Sequence, residues 1–348
     1  MIPPRITAVI TSYNYGQFVC EAIESVLAQG PPPAELEVVV VDDGSTDDTP
    51  ERVRRFEDRI TYIRKPNGGQ ASALNTGFAH AHADLVALLD ADDVWLPGKL
   101  HRVMASFDEH PEAVMVQHTR VVSSREALCE EVEANFPELS GDFPLLPRDL
   151  LLCATMATSG LAFRKSLLGS LLPIPEILTG HADSYLSAFA VLQAPIVSLN
   201  EPLTRYRIHG GNLYSFASAD EKRAERRLLQ METFVRVLER QMSAVREQYR
   251  GDGLEGYLDR FRLIAQSHRF HTKGAGRLEF FNYLRKHRKV YRPLWTRRYS
   301  AFRVALEWLA LALGYRAFSS LRTRSAQAGL RRLREDLFPA HAREAAFS

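Results

Sequence analysis

Only three cysteines occur in the 348 residues, Cys20, Cys129 and Cys153, and none has CxxC spacing. An odd and scattered set closes no disulfide framework, so reducing cytosol is the expected compartment. A long hydrophobic run is missing as well. The most apolar late window, 304–317, is interrupted by Glu307 and Arg316 and is too short to span a bilayer, so no transmembrane helix is expected. The opening Met1-Ile2-Pro3-Pro4-Arg5 lacks the basic, apolar and cleavage regions of a signal peptide, and export is not expected. Neither GxGxxG nor GxxxxGK[ST] follows the first strand, which argues against dinucleotide and P-loop enzymes. Thr11 to Gly16 holds no basic residue, whereas a nucleotidyltransferase usually places a basic phosphate loop there. There is no internal repeat and no low-complexity tract.

Each part of the chain is short of one sign of charge. Residues 1–214 carry 16 Lys+Arg against 28 Asp+Glu, and residues 215–348 carry 28 against 14, so a net charge of +2 hides regions of −12 and +14. Two domains are expected at that boundary, the acidic one suited to a metal and the basic one to an anionic partner or surface. The first hundred residues alternate strand and helix signals, as in βαβ units with a mostly parallel sheet. Strands are expected over 6–11, 36–41, 60–64, 85–90, 114–122, 158–164 and 196–199. Helices are expected over about 17–29, 70–82, from near Lys99, 149–154 and 182–192. Loops fall at 135–148 and near 173–181, and the chain beyond Gly210-Gly211-Asn212 reads as helical and Arg-rich.

The sharpest signal is Leu85-Val86-Ala87-Leu88-Leu89-Asp90-Ala91-Asp92-Asp93, a buried-strand pattern ending in crowded carboxylates. Such acids repel one another, and hard oxygen ligands at a strand's carboxyl end suit magnesium or manganese carrying a nucleotide diphosphate. Asp92 is the expected metal ligand and Asp90 the expected ribose contact, while Asp93 equally suits a helix cap. Asp42 and Asp43 end another central strand, where at least one carboxylate can accept hydrogen bonds from a base or ribose.

Several stretches together resemble the family-2 inverting glycosyltransferases. They are Thr11-Ser12-Tyr13-Asn14-Tyr15-Gly16, Val40-Val41-Asp42-Asp43-Gly44-Ser45, Asn67-Gly68-Gly69-Gln70 with Asn75-Thr76-Gly77, and the Asp90-Ala91-Asp92 motif. The match covers roughly residues 5–215. It implies an α/β GT-A fold, Rossmann-like with a mostly parallel sheet flanked by helices, followed by a basic helical C-terminal region. It further implies transfer of a sugar from a nucleotide-sugar donor, most simply a UDP-sugar, to a hydroxyl acceptor in surface polysaccharide or glycoconjugate synthesis. Donor contacts carry over to Thr11, Tyr13, Asp42, Asp43, Gln70, Asp90, Ala91 and Arg207, with Asp43 favoured over Asp42 for the base. Asp92 is expected to hold the divalent cation, and His209, in Tyr206-Arg207-Ile208-His209, to complete its shell. Asp183, in His181-Ala182-Asp183-Ser184, stands where the family places its general base, though without the usual second acid or aromatic; Asp142 and Glu176 are substitutes. Trp95 suits either a sugar face or the core. The rival readings are a metal-dependent nucleotidyltransferase and a catalytically silent nucleotide-sugar-binding scaffold.

Residues 260–303 hold 13 Lys+Arg and one acid, Glu279, with aromatic residues between them. With Trp308, Leu309 and Leu311 following, this region suits either a bundle that packs on the catalytic domain or a second subunit, or a peripheral contact with the inner face of an anionic membrane. No nucleic-acid module is visible, and none is expected as a partner.

Overall fold

The computed structural model describes residues 5–30, 35–124, 131–132, 157–191, 193–209, 221–245, 253–291, 304–305, 307–315 and 317. The loop expected at 135–148, Asp142 within it, and the helix expected at 149–154 lie outside these residues. The chain divides into two compact units, one within 1–146 and 153–217 and the other within 147–152 and 218–348.

The first unit is built on a nine-stranded sheet. Its strands are β1 (Ile6–Ser12), β2 (Leu36–Asp42), β3 (Thr61–Arg64), β4 (Leu85–Asp90), β5 (Val94–Trp95), β6 (Met115–Ser124), β7 (Glu131–Val132), β8 (Leu161–Arg164) and β9 (Ile196–Ile208). They lie in the order β3-β2-β1-β4-β8-β6-β9-β5, with β7 on β6. β1 runs parallel to β2 and β4, and β2 parallel to β3, so the carboxyl ends of β1, β2 and β4 share one edge. Val38 to Val41 and Val86 to Leu89 are at most 4% exposed, as strands covered on both faces require.

Helix α1 (Gly16–Leu27) buries Phe18, Val19, Ala22, Ile23 and Val26, a helical stripe packed against the sheet core. Helices α2 (Thr49–Val53) and α3 (Gln70–His80) follow β2 and β3. α3 lies so close to β1 that a Cβ on Gly77 would sit 2.3 Å from Val9 Cγ1. Helix α4 (Lys99–Glu109) starts just after Pro97, as expected, and the short α5 (Lys165–Leu168) and then α6 (Ala182–Ala190) come later.

The sheet is less parallel than expected. Beyond β4 it is mixed: β8 is antiparallel to both β4 and β6, β6 is parallel to β9, and β5 is antiparallel to β9. The strand expected at 196–199 continues to Ile208 because the pairing of β6 with β9 shifts register between His118 and Arg120. Pro202 sits opposite Thr119 at that irregularity, a place where its missing N–H costs no ladder bond. Residues 158–160, expected as strand, form a single 3-10 turn.

The second unit is helical in its described residues. It holds α7 (Glu221–Val245), α8 (Gly253–Lys273), α9 (Arg277–Tyr291) and helical residues at 304–305 and 307–315. α7 and α8 pack through Phe234 and Phe261, whose rings meet edge to face at 5.0 Å, and are laced by Arg262–Glu239 and Arg269–Glu232 ion pairs. Phe270, Phe280, Tyr283 and Tyr315 form a second aromatic core. No described helix is long and apolar enough to cross a membrane.

Candidate active site

The carboxyl ends of β1, β2 and β4 gather the acidic motifs. Asp90, Asp92 and Asp93 each offer an oxygen within 4.8 Å of the others. Asp90 is held by Thr11, whose Oγ1 donates to Asp90 Oδ1 at 3.1 Å, and by the Asp90 N–H to Ser159 Oγ at 3.1 Å. Burial, and then Asp92, Asp93 and Asp183 in that order, push Asp90 well above the ordinary carboxylate range. Asp93 is pushed up to about 7, by burial and then by Asp92, although Ser159 Oγ donates to it at 2.6 Å and the Arg207 N–H at 3.0 Å. Both Asp93 oxygens are thus occupied, more than a simple helix cap would require.

Asp92 is 6% exposed, and its Oδ2 lies 3.0 Å from His209 Nε2. That separation is close to the edge between neighbouring ligands of an octahedral ion with bonds of about 2.1 Å. The oxygen and imidazole donors therefore fit a magnesium- or manganese-sized cation. His209 is fixed by Phe18 and Tyr15, with ring centres 4.7 and 5.7 Å away.

The sequence-derived donor contacts separate into two groups. Thr11, Tyr13, Asp43, Gln70 and Asp90 stand around this edge of the sheet, and Tyr13 is 46% exposed, which leaves its ring free of the core. Asp43 closes the loop after β3: Lys65 Nζ lies 2.8 Å from Oδ1, and the Gly68 and Gly69 N–H groups donate at 3.0 and 2.7 Å. Asp42 instead braces the scaffold, with Oδ2 accepting from Tyr62 at 2.7 Å and Oδ1 from the Ser45 N–H at 2.8 Å. Ala91 is fully buried and its N–H donates to the Thr11 carbonyl. The Arg207 guanidinium pairs with Glu21 at 2.7 Å and lies over Phe18, and its backbone N–H donates to Asp93. Trp95 is 2% exposed and carries Lys99 over its ring, so of its two expected places it takes the core.

Asp183 opens α6 behind His181, whose φ of 65° turns the chain sharply into the helix. Its Oδ2 accepts from the Thr158 N–H and Oγ1 at 3.2 and 3.3 Å, and its Oδ1 from the Ser184 N–H at 2.7 Å. Burial nonetheless raises it above the usual carboxylate range. Gln70 organises this corner. Its Nε2 donates to Thr158 Oγ1 at 3.1 Å and its Oε1 accepts the Ala182 N–H at 2.9 Å. Thr158 also bears on Asp90, offsetting part of the rise in its carboxyl, so this one residue acts on both Asp90 and Asp183. Glu176, the described substitute for Asp183, is exposed and meets Ser72 at 3.4 Å.

Sequence reasoning missed Ser159 and Lys99. Ser159 ties Asp90 to Asp93, and its carbonyl accepts from Lys99 Nζ at 2.6 Å. Lys99 is fully buried, and burial holds its ammonium well below the ordinary lysine range, with Asp93 acting in the opposite direction. One lysine at a helix start carries no signal that it will be enclosed.

Three comparisons bear on this arrangement. The family model described as Glycosyl transferase family 2 matches residues 7–172, which hold β1, the Asp42-Asp43 pair and the Asp90 cluster. An uncharacterized glycosyltransferase of Nostoc sp. is 34% identical over 222 residues, covering 62% of this chain and 68% of the relative. Among solved structures, S. aureus TarS 1-349 in complex with UDP-GlcNAc has a TM-score of 0.57 at 20% identity over 82% of this chain and 80% of that one. The mannosyltransferase PcManGT from Pyrobaculum calidifontis, in complex with GDP-Man and Mn2+, has a TM-score of 0.54 at 20% identity over 99% and 86%. The two structures share the GT-A-like fold. The Nostoc relative and the family model together show that the chain belongs to glycosyl transferase family 2 and is a glycosyltransferase.

Proposed function

We propose that the protein moves a sugar from a nucleotide-diphosphate donor, a UDP-sugar, to a hydroxyl acceptor with inversion at the anomeric carbon. The observation that carries this reading is the meeting of the Asp90, Asp92 and Asp93 carboxylates with His209 on one side and Asp183 on the other. Asp183, its basicity raised by burial, takes the proton of the acceptor hydroxyl as its oxygen attacks the anomeric carbon. The diphosphate departs on the opposite face. Asp92 and His209 would hold a divalent cation, which supplies Lewis-acid neutralisation of the departing diphosphate. Tyr13 and Asp43 hold the base, and Thr11 and Asp90 the ribose, so that part of the acceleration comes from orientation. The acceptor is a polysaccharide or glycolipid hydroxyl, and the protein works at the inner face of an anionic membrane reached through its basic C-terminal unit.

TarS is solved with UDP-GlcNAc and PcManGT with GDP-Man and Mn2+, which makes UDP and GDP the first ligands to try. Calorimetric titration with UDP, GDP and dTDP, with and without manganese, tests the donor site in the wild type and in Asp92→Ala. The expected result is manganese-dependent binding of UDP that Asp92→Ala loses. No binding of any of the three refutes the nucleotide-sugar reading. Binding without release of UDP from any UDP-sugar returns the silent scaffold, and pyrophosphate release from a nucleoside triphosphate returns nucleotidyl transfer.

A further inference from the structure

The second unit turns one apolar face to solvent. In α9, Leu278 is 65% exposed, and Phe281, Arg285 and Lys289 follow it at three, seven and eleven residues, which places all four along one side of the helix. Beside them, the helical residues 307–315 expose Trp308 at 61% and Leu309 at 44%. The two stripes form one patch, because the Phe281 and Trp308 rings meet at 5.3 Å and the Arg285 guanidinium lies 5.8 Å from the Phe281 ring centre. The inward faces of the same helices are already committed. Phe280 meets Tyr315 at 5.1 Å in the aromatic core, and Glu307 pairs with Arg288 at 2.7 Å. Leu278, Phe281, Trp308 and Leu309 are therefore not core residues of this unit.

We infer that this face docks on an anionic lipid bilayer, with Leu278, Phe281, Trp308 and Leu309 in the boundary between headgroups and acyl chains and with Arg285 and Lys289 on the headgroups. The charge on the face chooses the occupant. A protein interface core is depleted of charge, and its rim carries both signs. Here the exposed charges of α9 are nearly all of one sign, Arg277, Arg285, Lys286 and Lys289 against Glu279, with Lys286 paired to Asp259. A nucleic acid would answer the cations and the rings, but it gives exposed leucines nothing to bury against. An indole flanked by aliphatic side chains and cations matches the layered chemistry of a bilayer surface, apolar below and anionic above. The inference deepens the membrane contact proposed above, and it is independent of the chemistry of the first unit.

Co-sedimentation of the full chain with vesicles tests it, using phosphatidylcholine alone and a roughly 70:30 mixture with phosphatidylserine at about 0.15 M salt. The expected result is binding to the anionic vesicles only, weakened at high salt. Removing two surface charges in Arg285→Gln with Lys289→Gln is expected to weaken binding about 30-fold. Trp308→Ala with Leu309→Ala should weaken it about tenfold or more. These side chains are exposed, so circular dichroism and nucleotide titration serve as folding controls and should not change. Asp92→Ala should bind vesicles like the wild type, so failure of the transferase reading leaves this test standing. Equal binding to both vesicle types, or variants that bind like the wild type, overturn the inference. So does a wild-type dimer that Trp308→Ala disperses while vesicles go unbound, which would assign the face to a second copy of the chain.

Discussion

The two units treat charge in opposite ways. The acidic first unit buries its charge: Asp42, Asp43, Asp92, Asp93 and Lys99 are all at most 6% exposed. The basic second unit, among its described residues, buries only Arg227 and Glu307 and leaves the rest of its charge near solvent. A buried carboxylate is tolerated only when it is hydrogen-bonded or paired, and each such acid of the first unit is accordingly pinned by named donors. Pinned charge gives fixed geometry, which chemistry at a reacting centre needs. Solvated charge gives a field over a surface, which suits attraction of an anionic partner.

Removing the reacting group of the first unit gives the largest expected effect. Asp183→Asn should lower transfer by a factor of about 10²–10⁴, the usual worth of a general base, while manganese-dependent UDP binding stays intact. Burial raises Asp183, so the wild-type rate should begin to fall with acid at a pH above the ordinary carboxylate range. Steady-state kinetics against pH reads both effects. A rate within tenfold of wild type would move the base elsewhere.

Breaking the second unit sharpens the comparison from the other side. Phe270 is 1% exposed at the centre of its aromatic core, so Phe270→Ala should destabilise that unit by about 3–5 kcal/mol, read by urea unfolding. UDP titration should not notice the change.

Gly69→Ala tests whether the site depends on a backbone approach. Gly69 has a φ of +82°, and an added Cβ would lie 2.8 Å from Thr179 Cα on the segment leading to Asp183. A cost of about 1–3 kcal/mol is expected, with a loss of kcat larger than the change in thermal stability suggests. Equal activity would show that the approach of the two loops does not position Asp183.

The smallest expected effect depends on pH. Burial pushes Glu37 up, but hydrogen bonds from Thr7 Oγ1, the His82 ring and the His82 N–H more than offset this and leave its carboxyl below the ordinary range. A lowered folded value means that the stabilisation is present above the unfolded glutamate pKa and is lost as pH falls through the folded one. Glu37→Gln should therefore be less stable than wild type near neutrality, and the gap should close under acid. Chemical unfolding at a series of pH values checks it.

Much of the first unit was legible in sequence. Val38 to Val41 and Leu85 to Leu89 read as buried strands because both faces of a central strand repeat the same demand for apolar side chains. The Asp90 cluster was legible because crowded acids at a strand's end need a counter-charge wherever they fold. The extension of β9 was not, since Asn200, Glu201 and Pro202 resemble a loop until a register shift beside β6 accommodates them.

What the sequence by itself determined is local: the order of strands and helices in the first unit, the acids at the carboxyl ends of β2 and β4, and the change of charge near residue 214. Which neighbours hold each acid was decided only by tertiary structure. Asp42 and Asp43 are neighbours in the chain, yet Tyr62 and Ser45 claim the first while the loop at Gly68 and Gly69 gathers on the second. Gln70, Thr158 and Asp183 come from three distant segments, and a hydrogen bond of about 3 Å between them is invisible to spacing or periodicity. The burial of Lys99 belongs to the same class, because enclosure is set by residues far away in the chain, and those positions exist only once the sheet has formed.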